Sequence, residues 1–346
     1  MRTMLLTGIR EMEMSNLPDP VITSDNGVLI RMTRVGVCGS DIHYYTTGRI
    51  GSQVVSYPFP VGHEGAGIVE KTGKSVKRVR PGDRITIEPA MPCGVCDQCL
   101  ANRPHTCRKL KFLGCPGQAD GCLSEYIVMP EESCFPIPDQ MDFDQATISE
   151  PLSIGLYSVK QSIKLEGASI AILGHGPIGM SVLFGAIIAG AARIYVTDKI
   201  NERLALARKT GAHWTGNPDT GDIVAQIREQ EPLLLDAVYE CCGQQEAMDQ
   251  AVALVKPGGK IMIVGIPEFD YWKLPTDIIR RKEVCLQNIR RQNHCVQPAL
   301  DLIASGSIDV KSMVTHRFPF EKTREAFDLV AGYKDGVMKA MIEIGD

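Results

Sequence analysis

The chain predicts an α/β protein in which a β-rich domain precedes a doubly wound parallel sheet covered by helices. Three observations carry this. Up to about Glu150 the sequence offers extended segments cut by turn residues, and beyond it strand and helix patterns alternate. A length of 346 residues, 44% of them hydrophobic and 23% charged, suits two domains, each with its own core. We place the first domain at 1–150 and the second at 151–290, with 291–346 as a return segment completing the first.

In the first domain Val28–Val37 and Ala66–Lys71 read as strands, Pro81-Gly82-Asp83 as a turn and Arg84–Glu88 as renewed extended structure, with little helical periodicity. The alternation then begins. Ser169–Leu173 is a strand, followed by a helix from Pro177 to about Ala189, a strand Arg193–Thr197 and a helix through Glu202–Lys209. Strands Asp236–Glu240 and Lys260–Gly265 continue it, and the tail adds a helix at Gln297–Ala304 and a strand near Met338–Ile344.

Composition narrows the function classes. A net charge of −4 argues against a phosphate-seeking surface, and the patch Arg108, Lys109 and Lys111 reads as a solvated loop, so no nucleic-acid partner is expected. No stretch is apolar enough to span a membrane, and no internal repeat is present. The opening residues carry acidic and polar groups where a secretory signal needs an apolar core, so a reducing, cytoplasmic location is expected.

Cys93, Cys96, Cys99 and Cys107 form a C-x2-C-x2-C-x7-C run. Thiolates this close in sequence can converge on one ion, with Pro92 and Gly94 helping the loop turn, and the pattern reads as a closed, structural zinc site. Disulfides fit the expected compartment poorly, and iron–sulfur motifs lack the seven-residue final gap. Cys115, Cys122, Cys134, Cys241, Cys242, Cys285 and Cys295 have no such spacing and read as small core residues. A second constellation, Cys38, His63, Glu64 and Glu150, offers ligands for a metal with an open position. His105, His175 and His213 receive no chemistry, although the His175 backbone lines a phosphate loop, and Trp214 and Trp272 read as packing or surface residues.

That loop is Gly174-His175-Gly176-Pro177-Ile178-Gly179, which follows an apolar strand and opens a helix. Gly174, Gly176 and Gly179 let backbone amides approach a pyrophosphate, with Pro177 and Ile178 starting the helix. Asp198, at the end of the next strand, can accept hydrogen bonds from the adenosine ribose and repel a 2′-phosphate, favouring NAD over NADP; Lys199 and Arg203 lie beside it.

Together, Cys38-Gly39-Ser40-Asp41-Ile42-His43-Tyr44, Gly48-Arg49-Ile50-Gly51, Gly62-His63-Glu64, the four-cysteine run, Glu150-Pro151-Leu152, the glycine fingerprint and Val314-Thr315-His316-Arg317-Phe318-Pro319 resemble the zinc-dependent medium-chain dehydrogenases, most closely the sorbitol (polyol) dehydrogenases. The match runs in order along nearly the whole chain. It implies a GroES-like β-barrel catalytic domain in two chain segments, a Rossmann domain between them, an active site in the cleft, and a homo-oligomer, dimer or tetramer. It implies one catalytic and one structural zinc per subunit, with Cys38 and His63 as ligands and Glu64 and Glu150 alternating between ligand and supporting position, Glu150 ranking below the others. It implies a proton relay through Ser40 and His43, and a polyol substrate held by Tyr44 and by Arg291 or Arg290. The stretch 288–293 departs from the polyol pattern of one arginine flanked by aromatics, so chain length or stereochemical preference can differ.

The expected reaction is hydride transfer from a secondary alcohol of a polyol or sugar-type substrate to NAD, giving a ketone. The alternatives are a threonine-type or simple secondary alcohol dehydrogenase, a non-enzymatic structural relative, and a nucleic-acid-binding zinc module, the last disfavoured by net acidity.

Overall fold

The computed structural model describes residues 1–345, which divide into two compact units: Met1–Glu150 with the chain from Val296 onward, and Pro151–Cys295.

The first unit is organised around the ten-residue strand Gly27–Gly36. Its apolar residues Val28, Ile30, Met32 and Val35 are buried, and both of its edges are paired. One edge meets Glu64–Thr72. The other changes partner half-way: Gly27–Arg31 pairs with Tyr126–Pro130, and Arg34–Gly36 with the strand Lys339–Glu343. The full sheet has seven strands, with Arg84–Ile87 and Cys134–Pro136 beyond Glu64–Thr72, and Val314–Pro319 beyond Lys339–Glu343. The change of partner brings the end of the chain to the start of Glu64–Thr72, and that places the site.

Two helices lie where periodicity alone showed none. Gly39–Thr47 is poor in strong helix formers, but it is bounded by local chemistry: the Asp41 carboxylate accepts from the Cys38 amide at 3.4 Å, and Gly48 closes it at φ 72°. The 18-residue helix Phe143–Lys160 runs through Pro151. The proline reads locally as a break, yet Ala146, Ile148 and Leu152 are buried, so tertiary packing sustains the helix. The opening residues form a hairpin, Arg2–Gly8 with Glu11–Asn16.

The second unit is a six-stranded parallel sheet in the order Trp214–Gly216, Arg193–Thr197, Ser169–Leu173, Leu235–Glu240, Val255–Ile263, Cys285–Asn288. Its inner strands, such as Ile170–Leu173, are buried along their length, which is why they read as continuous apolar runs. Strand order reverses between Ser169–Leu173 and Leu235–Glu240, the place where open α/β sheets bind ligands at the strands' carboxyl ends. Helices Gln245–Leu254 and Thr276–Lys282 and the edge strand Cys285–Asn288 had no clear pattern in sequence. Among the described residues no helix is long and apolar enough to cross a membrane.

Candidate metal and nucleotide sites

The thiols of Cys93, Cys96, Cys99 and Cys107 lie within 4.8 Å of one another. Cys96 Sγ is 3.6 Å from Cys99 Sγ and 3.8 Å from Cys107 Sγ. A tetrahedron with zinc–sulfur bonds of about 2.3 Å has edges of about 3.8 Å, so the spacing fits a zinc ion. The Cys93 and Lys109 amides donate to Cys107 Sγ at 3.2 and 3.4 Å. Backbone amides of Cys99 and Arg108 bring the Cys96 thiol down to about 6, favouring the thiolate a metal binds. Of the cysteines assigned to the core, Cys115, Cys122, Cys134 and Cys295 are buried, whereas Cys242 and Cys285 are exposed at strand ends and edges and Cys241 is intermediate.

The second cluster joins Cys38 Sγ, a His63 nitrogen and a Glu64 oxygen, again within 4.8 Å. Cys38 caps the helix Gly39–Thr47, and His63 and Glu64 lie at the start of the neighbouring strand. Each ligand is held from behind. Ser40 Oγ donates to Cys38 Sγ at 3.3 Å. His63 Nδ1 faces Asp41 Oδ1 at 3.3 Å, leaving Nε2 for an ion, and Asp41 also accepts from the Gly62 amide. Burial opposes charge on His63, but Asp41 and then Cys38 outweigh it and hold its pKa well above the ordinary range.

Glu64 is gripped by Lys339. Its two oxygens lie 2.7 and 2.5 Å from Lys339 Nζ, which also donates to the Val37 carbonyl at 3.1 Å; both side chains are 1% exposed. Burial would lower the Lys339 pKa, yet Glu64, and then Cys38, raise it overall. A Cβ on Gly36 would stand 2.2 Å from Glu64 Oε2, so only glycine leaves room for this carboxylate. Glu150 is buried nearby but does not join the three-residue group at its 4.8 Å spacing. Burial pushes its carboxyl up to about 8; His63 opposes this, while Glu64 and Glu88 add to it.

His43 is half-buried on the same helix as Tyr44. Tyr44 is buried, and its hydroxyl donates to Gln53 Oε1 at 3.3 Å. Arg290 and Arg291 belong to the second unit, where Arg291 has a left-handed backbone, φ 55°.

In the second unit Gly176 caps the helix Pro177–Ile188, with Pro177 at its first position. A Cβ on Gly179 would lie 2.0 Å from the Gly174 carbonyl oxygen. The helix therefore packs hard against the loop and leaves first-turn amides for a pyrophosphate. Asp198 Oδ2 accepts from the His175 amide at 2.6 Å and Oδ1 from the Ile200 amide at 2.8 Å. Arg203, buried on the helix Asn201–Thr210, reaches within 3.9 Å of Asp198 Oδ2 and runs alongside Gly176. These residues fit a dinucleotide.

Asp41 and Lys339 escaped the sequence reading. Asp41 was signalled by its spacing from Cys38, a capping pair. Lys339 was signalled more faintly, by a lysine heading an otherwise apolar strand.

Comparison with known proteins gives one answer. Residues 24–139 match the alcohol dehydrogenase GroES-like domain, and residues 177–305 the zinc-binding dehydrogenase domain. The chain is 35% identical to a sorbitol dehydrogenase of Bacillus subtilis over 343 residues, 99% of this chain and 97% of that one. It is 33% identical to an L-idonate 5-dehydrogenase of Vitis vinifera over 311 residues, covering 88% and 84%. A solved oxidoreductase/dehydrogenase of unknown specificity from Escherichia coli superposes with a TM-score of 0.93 at 33% identity, covering 100% of this chain and 99% of that one.

Buried ionisable side chains make two effects measurable. Lys339→Met leaves Glu64 buried without its counter-ion and should cost about 3–5 kcal/mol in denaturant unfolding of the metal-free protein. Adding Glu64→Gln should recover most of that; a double variant as unstable as the single one would refute the pairing. His175 is fully buried, with no hydrogen-bond partner for either ring nitrogen among the described residues, and burial, then Arg203, push its pKa down to about 3. Because the folded pKa lies below the unfolded value of 6.5, its contribution is intact above pH 6.5 and is lost as pH falls toward 3. His175→Leu should flatten the loss of stability in that window by up to about 1.4 kcal/mol per pH unit, and an unchanged slope would show that the ring is not held neutral.

Proposed function

We propose that this chain, which belongs to the zinc-binding alcohol dehydrogenases with a GroES-like domain, oxidises a secondary alcohol of a polyol or sugar-type substrate to a ketone with NAD. Family membership fixes the reaction class, a zinc- and nicotinamide-dependent alcohol dehydrogenation. The substrate, the preference for NAD and the roles of individual residues form the proposal. One observation carries it: the gathering of Cys38, His63 and Glu64, each backed by its own buried polar partner. The polyol is supported by the likeness to relatives named for sorbitol and L-idonate.

In this reading Cys38, His63 and Glu64 hold the catalytic zinc, with Glu150 behind them, and Cys93, Cys96, Cys99 and Cys107 hold the structural one. Bound zinc supplies a Lewis acid that lowers the proton affinity of the substrate hydroxyl, and NAD supplies the hydride acceptor. Ser40 Oγ, beside Cys38 Sγ, takes up the hydroxyl proton and passes it toward His43 and solvent. Asp41 keeps the His63 ring in one orientation, and Lys339 keeps the Glu64 carboxylate aimed. Gly174, Gly176, Pro177, Ile178 and Gly179 cradle the pyrophosphate, Asp198 accepts the ribose hydroxyls, and Arg203 steadies both. Tyr44, buried beside Gln53, supports the substrate-binding side of the first unit rather than giving its own proton. A cytoplasmic homo-oligomer, dimer or tetramer, belongs to the same reading; twelve free cysteines suit a reducing compartment.

The direct test compares kcat/KM for C5 and C6 polyols and sugar acids with that for threonine and a monohydroxy secondary alcohol, alongside metal analysis of Cys38→Ser. Preference for a polyol and loss of turnover with loss of one zinc per chain are expected. A wild type that favours the plain alcohol or threonine would move the assignment to the simple or threonine-type dehydrogenases.

Cofactor choice gives a second test. Asp198→Ser should raise the NADP/NAD ratio of kcat/KM by about tenfold or more, since a carboxylate that accepts ribose hydroxyls also repels a phosphate. A wild type already selective for NADP would show that Arg203 or Lys199 dominates the pocket.

A further inference from the structure

The Tyr44 hydroxyl is committed inside the protein. Tyr44 is 4% exposed, its O–H donates to Gln53 Oε1 at 3.3 Å, and the Cys115 thiol lies 3.7 Å from the same oxygen. A phenol has one proton to give, so the bond to Gln53 withholds it from a substrate. Gln53 stands differently. It is half-exposed, it lies in the short hairpin Arg49–Ile50 with Gln53–Val54, and its Nε2 has no protein acceptor among the described residues. The hairpin is rigidly tied: Gly51 turns it at φ 53°, and the Val55 amide donates to the Gly48 carbonyl, at the close of the helix that begins on Cys38, at 2.8 Å. With the backbone fixed and Oε1 anchored, both N–H bonds of the carboxamide point in set directions.

The pair lies along a continuous line of contacts from the metal cluster. The Phe112 ring packs on His63 with centroids 5.3 Å apart, the Cys115 amide donates to the Phe112 carbonyl at 3.2 Å, and Cys115 touches Tyr44, which touches Gln53. Gln53 is thus the half-exposed polar end of a line of contacts through Phe112, Cys115 and Tyr44.

We propose that Gln53 is a specificity-determining residue, the substrate-facing member of the Tyr44–Gln53 pair, whose Nε2 donates to a hydroxyl of the polyol chain away from the reacting carbon. This rests on the polyol reading above. A monohydroxy alcohol bound in the same place leaves that donor without a partner, whereas a polyol satisfies it, so the residue separates the two classes by the cost of an unpaired amide.

The test measures kcat/KM for the best substrate among sorbitol, xylitol and ribitol and for hexan-2-ol, in wild type, Gln53→Leu, Gln53→Ala and Tyr44→Phe, with zinc content and unfolding midpoint recorded for each. Both Gln53 variants should lower the polyol/hexan-2-ol ratio by about 10- to 100-fold, mainly through the KM for the polyol. Tyr44→Phe should lower it less, because the amide remains but turns more freely. A selective wild type whose ratio is unmoved in both Gln53 variants overturns the assignment of Gln53 alone. A ratio that falls in Tyr44→Phe but not in the Gln53 variants assigns the contact to the phenol instead. A wild type that turns over hexan-2-ol as well as any polyol overturns the polyol reading and this assignment with it.

Discussion

The buried pair of Lys339 and Glu64 is the constraint on which the first unit depends. The two residues are 275 positions apart, and each is nearly excluded from water. A lone carboxylate or ammonium at that depth would neutralise or admit solvent, so neither can be placed without the other. The pair therefore ties the final strand to the strand that Glu64 opens, with His63 just ahead of it. Paired burial of charge is a poor source of net stability, since desolvation consumes most of the attraction. What it supplies is register, because the lysine must head its strand opposite the carboxylate, and it holds the Glu64 side chain beside Cys38 and His63.

Sterics serve the same end. The partner change along Gly27–Gly36 lets the last strand reach Gly36, and Gly36 has no side chain because Glu64 Oε2 fills that space. The cysteine lobe solves its problem locally instead. Its four thiols approach one another through a short loop, with backbone amides aimed at Cys107, and no distant residue is needed. A closed site can be built from one stretch of chain. The group of Cys38, His63 and Glu64 instead gathers its side chains from a helix cap and the start of a strand, and their orientation from farther away still.

That difference decides how much could be read from the residues. The four-cysteine spacing, the glycine fingerprint with its downstream Asp198, and the Cys38 and His63-Glu64 motifs are local patterns, so they were legible. The inner strands of the parallel sheet were legible because burial on both faces makes them uniformly apolar. Helix Phe143–Lys160 was not, since its proline and polar residues are outweighed by packing that periodicity cannot see. Lys339 was hidden for a related reason: a single lysine near a chain end reads as a surface charge, and only the pairing across 275 positions shows otherwise. The exposed Cys242 and Cys285 mark the opposite error, where residue type suggested core and strand position decided against it.

The nucleotide loop shows how one carboxylate can serve both architecture and recognition. Asp198 follows the second strand of the sheet, yet each of its oxygens already accepts a backbone amide, one from His175 within the glycine loop and one from Ile200 ahead of the next helix. The acid thus joins the loop to the neighbouring strand end through two backbone hydrogen bonds. Each oxygen still has a lone pair to offer. A ribose hydroxyl can donate to it without displacing either amide, whereas a phosphate meets a negative charge that the protein cannot turn aside without loosening the loop. Arg203 lies close enough to temper that repulsion and is itself buried along Gly176. The glycine loop, Asp198 and Arg203 are therefore coupled through their contacts, and a change that relaxes one must be felt by the others.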